Sequence, residues 1–193
     1  MKKIPTLFKR EFKNHKVVGI ANEVTEGFEW VLEGKGVATV KYDGSCCAII
    51  DGVFYKRFDA KKGRKIPEGA IPCCDPDLIT GHHPHWVKVD ANNPADKWFV
   101  KAERETGYIN TQLIPYRTYE AIGKHFNGNP YNLEDDILIP HGEDVIKNLD
   151  RSFEGIRDYL KYNYIEGIVF WLDGEPKCKI KRSDFGFPWG RKR

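Results

Sequence analysis

The sequence predicts an α+β domain made mostly of antiparallel strands. Three observations predict it. Short apolar and β-branched runs recur from Gly36 onward, Asp-Gly pairs punctuate them, and one stretch, 152–162, reads clearly as a helix. Many strands with few helices give this class.

In chain order, residues 1–35 mix polar and apolar positions without a strong period, and 22–27 reads as a loop. Strands follow at 36–42, 46–50 and 53–57, the last two joined by Asp51-Gly52, a hairpin signal. Residues 58–84, rich in Gly, Pro, Lys and Asp, are expected to be largely loop. The segments 86–89 and 98–102 are strand candidates, and the Thr and Tyr content of 108–120 favours a strand there. Residues 136–140 form another short strand. Ser152 can cap the helix, whose apolar face is Phe153, Ile156, Tyr159 and Leu160. The helix leads into Glu166-Gly167-Ile168-Val169-Phe170, a buried strand opening with a carboxylate. An Asp173-Gly174 turn then precedes a last strand over 177–182.

A chain of 193 residues is long enough to bury a real core. Met1-Lys2-Lys3 is not followed by an apolar run, and no stretch approaches the ~20 apolar residues of a membrane span, so a soluble, cytoplasmic protein is expected; a monomer is expected as well. Five cysteines, an odd number, suit reduced thiols. The adjacent pairs Cys46-Cys47 and Cys73-Cys74, near His82, His83 and His85, raise the idea of zinc. Neighbours on a strand point to opposite faces, however, and chelate poorly, so the first pair reads as small strand residues. The three histidines, on a Pro-broken segment, read as a loop near a site. No phosphate-binding Gly-x-x-x-x-Gly-Lys-Ser/Thr loop occurs.

Net charge is only +3, from 31 basic and 28 acidic residues. Residues 177–193 nevertheless hold seven basic residues and one acidic, a net of +6, which leaves the rest of the chain at −3. Such a segment suits a polyanion, and Phe185, Phe187 and Trp189 within it could stack on bases. The plain alternative is a solubilising tail with its aromatics docked on the core.

Lys41-Tyr42-Asp43-Gly44 carries the sharpest chemical signal. Lys41 and Asp43 share a strand face, and the Asp-Gly pair is expected to turn the chain back into 46–50, Gly44 supplying a positive φ. An amine at the mouth of a cleft could attack an electrophile once deprotonated by burial or by cationic neighbours. A surface hairpin is the alternative. Along the last strand Lys177, Lys179 and Lys181 share one face, with Cys178 and Ile180 on the other. That row could protect an edge strand or face phosphates.

Taken in order, Lys-x-Asp-Gly, Glu166-Gly-Ile-Val and Lys179-x-Lys181 resemble the motifs of the covalent nucleotidyltransferases, the polynucleotide ligases and capping guanylyltransferases. Lys-Tyr-Asp-Gly-Ser-Cys-Cys, Thr80-Gly-His-His-Pro-His-Trp86 and Gly128-Asn-Pro-Tyr131 look like a family of small, single-domain ATP-dependent 5′-to-3′ RNA ligases that includes a vertebrate repair ligase. The resemblance covers roughly Gly36 to Pro188. It implies one nucleotidyltransferase domain over 1–193, two antiparallel sheets enclosing a nucleotide cleft with flanking helices, and no C-terminal oligonucleotide-binding barrel. It makes Lys41 the nucleophile that forms lysyl-AMP from ATP, with Lys179 and Lys181 acting with it on the phosphates. It assigns Asp43, Gly44, Arg57, Glu120, Lys179 and Lys181 to the nucleotide, Glu120 at the ribose hydroxyls, and Glu166 to Mg2+ or Mn2+. The implied partner is RNA with 5′-phosphate and 3′-OH ends, in RNA repair. Ser45-Cys46-Cys47 stands where many DNA ligases and capping enzymes carry a basic residue. A DNA ligase, a GTP-using capping enzyme and an inactive RNA-binding module are the alternatives.

Overall fold

The computed structural model describes residues 3–14, 16–60, 64–78, 80–107 and 115–190. In chain order the elements are β1 (Phe8–Lys13), β2 (Lys16–Val24), α1 (Glu29–Leu32), β3 (Val37–Lys41), β4 (Ser45–Ile50), β5 (Val53–Ala60), β6 (Ile71–Pro72), β7 (His83–Lys88), α2 (Lys97–Thr106), β8 (Tyr116–Ile122), β9 (Ile137–Pro140), α3 (Phe153–Tyr162), β10 (Gly167–Leu172) and β11 (Glu175–Lys181). The predicted α+β class with antiparallel sheets is what the chain adopts. Contacts divide it into two units, one built on Asp43–His141 and one combining Ile4–Tyr42 with Gly142–Lys192.

The first unit holds a six-stranded sheet in the order β6-β7-β5-β4-β8-β9, antiparallel throughout. The hairpin at Asp51-Gly52 forms as expected, both residues at positive φ. Alternation divides the sheet faces. Cys47, Ile49, Phe54, Tyr119, Ala121 and Leu138 pack together with Ala102 of α2. Cys46, Ala48 and Trp86 pack on a second cluster.

The helix α2 corrects the strand expected at 98–102. Asn93 accepts from the Ala95 N–H at 3.0 Å, Pro94 sits at the start of the preceding 3-10 turn, and Gly107 closes the helix at φ 69. Between these signals Trp98, Phe99 and Ala102 pack on one apolar cluster with helical spacing. Of the strand expected at 108–120, residues 116–120 lie in β8 and 108–114 are outside the described residues.

The second unit holds the three-stranded sheet β11-β10-β3 and the ribbon β1-β2. The ribbon was not expected, because its charged sequence hides the alternation of a strand. Ser152 caps α3 as predicted, its oxygen accepting from the Gly155 N–H at 3.0 Å. Ile156 and Leu160 are fully buried with Leu7, Ala38, Ile168, Phe170, Cys178 and Ile180. At ~25 cal/mol per Å2 of apolar surface, each fully buried Leu or Ile contributes roughly 1.5–3 kcal/mol, so this cluster holds the sheet that carries the charged residues below.

Candidate active site

In the second unit Lys41 ends β3, Glu166 directly precedes β10, and Gly167 pairs in register with Lys41 on one side and Lys181 on the other. Cross-strand partners project to one face, so two lysines flank a position that has no side chain. That position must be glycine: a Cβ at Gly167 would lie 2.2 Å from the Ile180 carbonyl oxygen. The Glu166 carboxylate joins the two lysines. Its Oε2 accepts from Lys41 Nζ at 2.5 Å and its Oε1 from Lys181 Nζ at 2.5 Å. The Glu166 side chain is 5 % exposed, and a carboxylate so buried requires such partners. With two ammonium groups and one carboxylate, the cluster carries a net charge of +1 at the end of one sheet.

Lys179 stands one row further along the same face, opposite Val169, which faces Thr39 across β3. Its main chain is tied to the N-terminal segment: the Leu7 N–H donates to the Lys179 oxygen at 2.8 Å, and the Lys179 N–H to the Pro5 oxygen at 3.0 Å. The outer edge of β11 is therefore partly covered, and protection of a bare edge does not account for the lysine row. Lys177 donates to Glu175 at 2.5 Å.

Asp43 and Gly44 belong to the first unit, and two expectations about them change. β3 and β4 do not pair as a hairpin; they enter different sheets. Gly44 has no positive φ. It is required for a close approach instead, because a Cβ there would lie 2.1 Å from the Ala121 carbonyl oxygen. The segment is held by side chains from elsewhere. The Asp43 N–H donates to Tyr131 Oη at 2.6 Å, and Asn127 Nδ2 donates to Asp43 Oδ1 at 2.9 Å and to the Gly44 oxygen at 2.7 Å.

Glu120, on β8, accepts the Gly44 N–H on Oε1 at 3.0 Å, and its Oε2 is 3.0 Å from His141 Nε2. The ring of His141 is anchored in turn by Thr118, with 3.0 Å between Nδ1 and Oγ1. Cys46 is the register partner of Glu120, and Cys47 is that of Lys56, so Arg57 stands next to Cys46. Arg57, Cys46 and Glu120 thus form one row across three strands. Burial, then the charge of Glu120, pushes the Cys46 thiol up to about 12, against the opposing effect of Arg57. Arg57 pairs with Asp59, Nε to Oδ1 at 3.0 Å, and His82 Nε2 is 3.3 Å from that same oxygen.

Of the three histidines expected in a loop, His82 lies in one and the other two do not. His83 and His85 lie on β7 with rings 4.2 Å apart, and His85 is buried. Among the described residues no three His, Cys, Asp or Glu side chains gather as a metal site. All five cysteines are free thiols, with Cys46, Cys47 and Cys178 buried. Near the C-terminus Phe185 packs on Phe153 at 5.3 Å, and Trp189 lies 4.9 Å from Tyr164, so these aromatics are docked on the unit. Arg191, Lys192 and Arg193 are outside the described residues. Among the described residues no helix is long and apolar enough to cross a membrane.

Of the residues expected at the site, the structure brings Lys41, Glu166 and Lys181 together, and in the other unit it sets Gly44 beside Glu120 and Arg57 on the same sheet as Glu120. Sequence reasoning missed Asn127, Tyr131 and His141, and it missed Asp144, which accepts from Tyr42 Oη at 2.6 Å. The local signal for the first two is the turn they flank, where Asn127 and Asn129 adopt positive φ. For His141 and Asp144 there is none, since each acts through a partner distant in sequence.

No family model matches the chain. It is 30 % identical over 225 aligned residues to RNA ligase 1 of Pongo abelii, covering 79 % of this chain and 68 % of that protein. It is 26 % identical over 226 residues to RNA ligase 1 of Rattus norvegicus, with the same coverage of each. To RNA ligase 1 of Danio rerio it is 30 % identical over 137 residues, 56 % of this chain and 42 % of that one. With a lysine–glutamate–lysine cluster on one sheet and a fixed carboxylate on another, and with this likeness over most of its length, the chain belongs to the RNA ligase family of which these proteins are members.

Proposed function

We propose that the chain is an ATP-dependent RNA ligase that joins 5′-phosphate and 3′-OH RNA ends through lysyl-AMP and adenylylated RNA. The observation that carries this is the Lys41–Glu166–Lys181 cluster. It sets the Lys41 nitrogen against a carboxylate that orients it, with a second lysine, Lys181, on the other carboxylate oxygen to meet phosphate charge. In the first step Lys41 gives up its ammonium proton to solvent, Nζ bonds to the α-phosphorus of ATP as the bond to pyrophosphate breaks, and the new phosphoramidate nitrogen sheds one further proton to solvent. Glu166 Oε2, which already accepts from Nζ, fixes the direction of the amine. Lys181 and Lys179 neutralise charge on the phosphorus oxygens. In the second step a 5′-phosphate oxygen of the RNA bonds to the AMP phosphorus and the N–P bond to Lys41 breaks. In the third, an RNA 3′-OH attacks the 5′-phosphorus and AMP leaves.

In this reading Glu120 receives the ribose hydroxyls. Arg57, on the same row, contacts the nucleotide or the RNA phosphate, and Asp43 and Gly44 shape the segment that follows the nucleophile. Glu166 is the single acid of its cluster, so this cluster by itself offers no cage for a divalent cation. One carboxylate with phosphate oxygens and water is the ordinary way Mg2+ is held, and Glu166 fits that. A Mg2+ or Mn2+ bound there would supply further charge neutralisation for the phosphates.

Incubation with α-labelled ATP or GTP tests the proposal. Acid-labile label on the protein from ATP alone is expected, together with sealing of RNA but not DNA ends. Label from GTP would point to a capping enzyme. No label from either, with RNA still bound, would leave an RNA-binding module and overturn the ligase reading.

A further inference from the structure

Both oxygens of the Glu120 carboxylate are already engaged, one by the Gly44 N–H and the other by His141. An ionised carboxylate only accepts hydrogen bonds, so the His141 Nε2 facing Oε2 must carry a proton. Nδ1 can then accept from the Thr118 hydroxyl, and a neutral ring with its proton on Nε2 satisfies both contacts. The ring has little freedom. The His141 N–H donates to the Thr118 oxygen at 3.1 Å, so main chain and ring clasp the same threonine. Thr118 and Glu120 lie two apart on β8 and so project to one face. The two side chains are nearly buried, Glu120 at 13 % and His141 at 16 % exposure.

We propose that His141 is the positioning residue for ribose recognition. It holds Glu120 at a fixed angle, so that the remaining lone pairs of the carboxylate meet a nucleotide's 2′-OH. This rests on the reading of Glu120 as the ribose-binding carboxylate. Each carboxylate oxygen has a lone pair left after the bonds described. Without His141, Oε2 loses its partner and the carboxylate can rotate about its last torsion, which is a soft one. The penalty falls on a ligand that uses the carboxylate and spares one that does not.

The test is binding of AMP and 2′-deoxyAMP to wild type, His141→Ala and His141→Gln, with the melting temperature of each as a check on folding. Wild type should prefer AMP. In His141→Ala the AMP affinity should fall about tenfold, the worth of a hydrogen bond to a charged group, while 2′-deoxyAMP binding stays unchanged. His141→Gln, which retains a side-chain N–H donor, should regain part of the preference. An equal loss for both nucleotides would show a merely structural role, and an unchanged preference would show no role; either overturns the proposal. Lysyl-AMP formation is measured separately on wild type. If AMP is preferred but no adduct forms, the ligase reading fails and the His141 proposal stands on the binding result. If wild type shows no preference for AMP, the His141 proposal fails whether or not the adduct forms.

Discussion

The two sheets position their polar groups by opposite means. In the three-stranded sheet, charge does the work: a nearly buried carboxylate sits between two ammonium groups, both at 2.5 Å. In the six-stranded sheet, a carboxylate is held by a backbone N–H and an imidazole, each at 3.0 Å. In the function proposed, the first arrangement meets a phosphate and the second receives ribose hydroxyl groups. Losses in the first should therefore fall on rate, and losses in the second on affinity and selectivity.

The largest contrast should come from removing the two carboxylates. Glu166→Gln keeps its size but leaves two ammonium groups without a counter-charge. Adenylylation should slow about a hundredfold or more in single-turnover kinetics, with the fold retained by circular dichroism. Glu120→Ala should raise the KM for ATP about tenfold with a smaller change in kcat. Similar effects of the two on kcat would erase the distinction drawn here.

The glycines sharpen it. Gly167→Ala and Gly44→Ala each place a Cβ within about 2.2 Å of a carbonyl oxygen, so each should cost roughly 1–3 kcal/mol in denaturant unfolding. Gly167→Ala should also separate Lys41 from Lys181 and depress adenylylation. Gly44→Ala should disturb the Glu120 bond and raise the KM for ATP.

A smaller, pH-dependent effect is expected in α2. Burial raises the Glu103 carboxyl to about 7. The folded state therefore holds this proton over a pH range where the unfolded chain, with an ordinary carboxyl near 4.3, has lost it. Stability from this group is present below the unfolded value and declines as pH rises towards and through 7. Glu103→Gln should melt higher than wild type at pH 8 and no higher at pH 4. The gap should be modest, because the group is only half-buried.

These residues also show what the sequence could tell. The capped helix α3 was legible because Ser152 and four apolar positions act locally. Lys179 and Lys181 of β11 share a face as the period of a strand predicts, while a register shift at Lys177 interrupts the expected row. The helix α2 was misread because Trp98, Phe99 and Val100 favour strands, while Asn93, Pro94 and Gly107 marked its ends. Gly44 was read correctly as necessary but for the wrong reason, since its constraint comes from Ala121, far along the chain. Asn127 and Tyr131 flank a turn whose residues mark it locally, whereas His141 bonds residues distant in sequence and nothing local announces it.

The smallest effect should come from deleting Arg191, Lys192 and Arg193. Lysyl-AMP formation should be unchanged, while RNA binding should weaken and its dependence on salt flatten, since fewer counterions are released. Equal salt slopes before and after deletion would leave the tail merely solubilising.

The most direct test is to map the adduct. The protein is incubated with ATP and Mg2+, digested without acid, and the AMP-bearing peptide sequenced by mass spectrometry. The account predicts AMP on Lys41 alone, removed by mild acid and absent from Lys41→Arg, whose guanidinium supplies no neutral amine. AMP on another residue, or an undiminished adduct in Lys41→Ala, would contradict it.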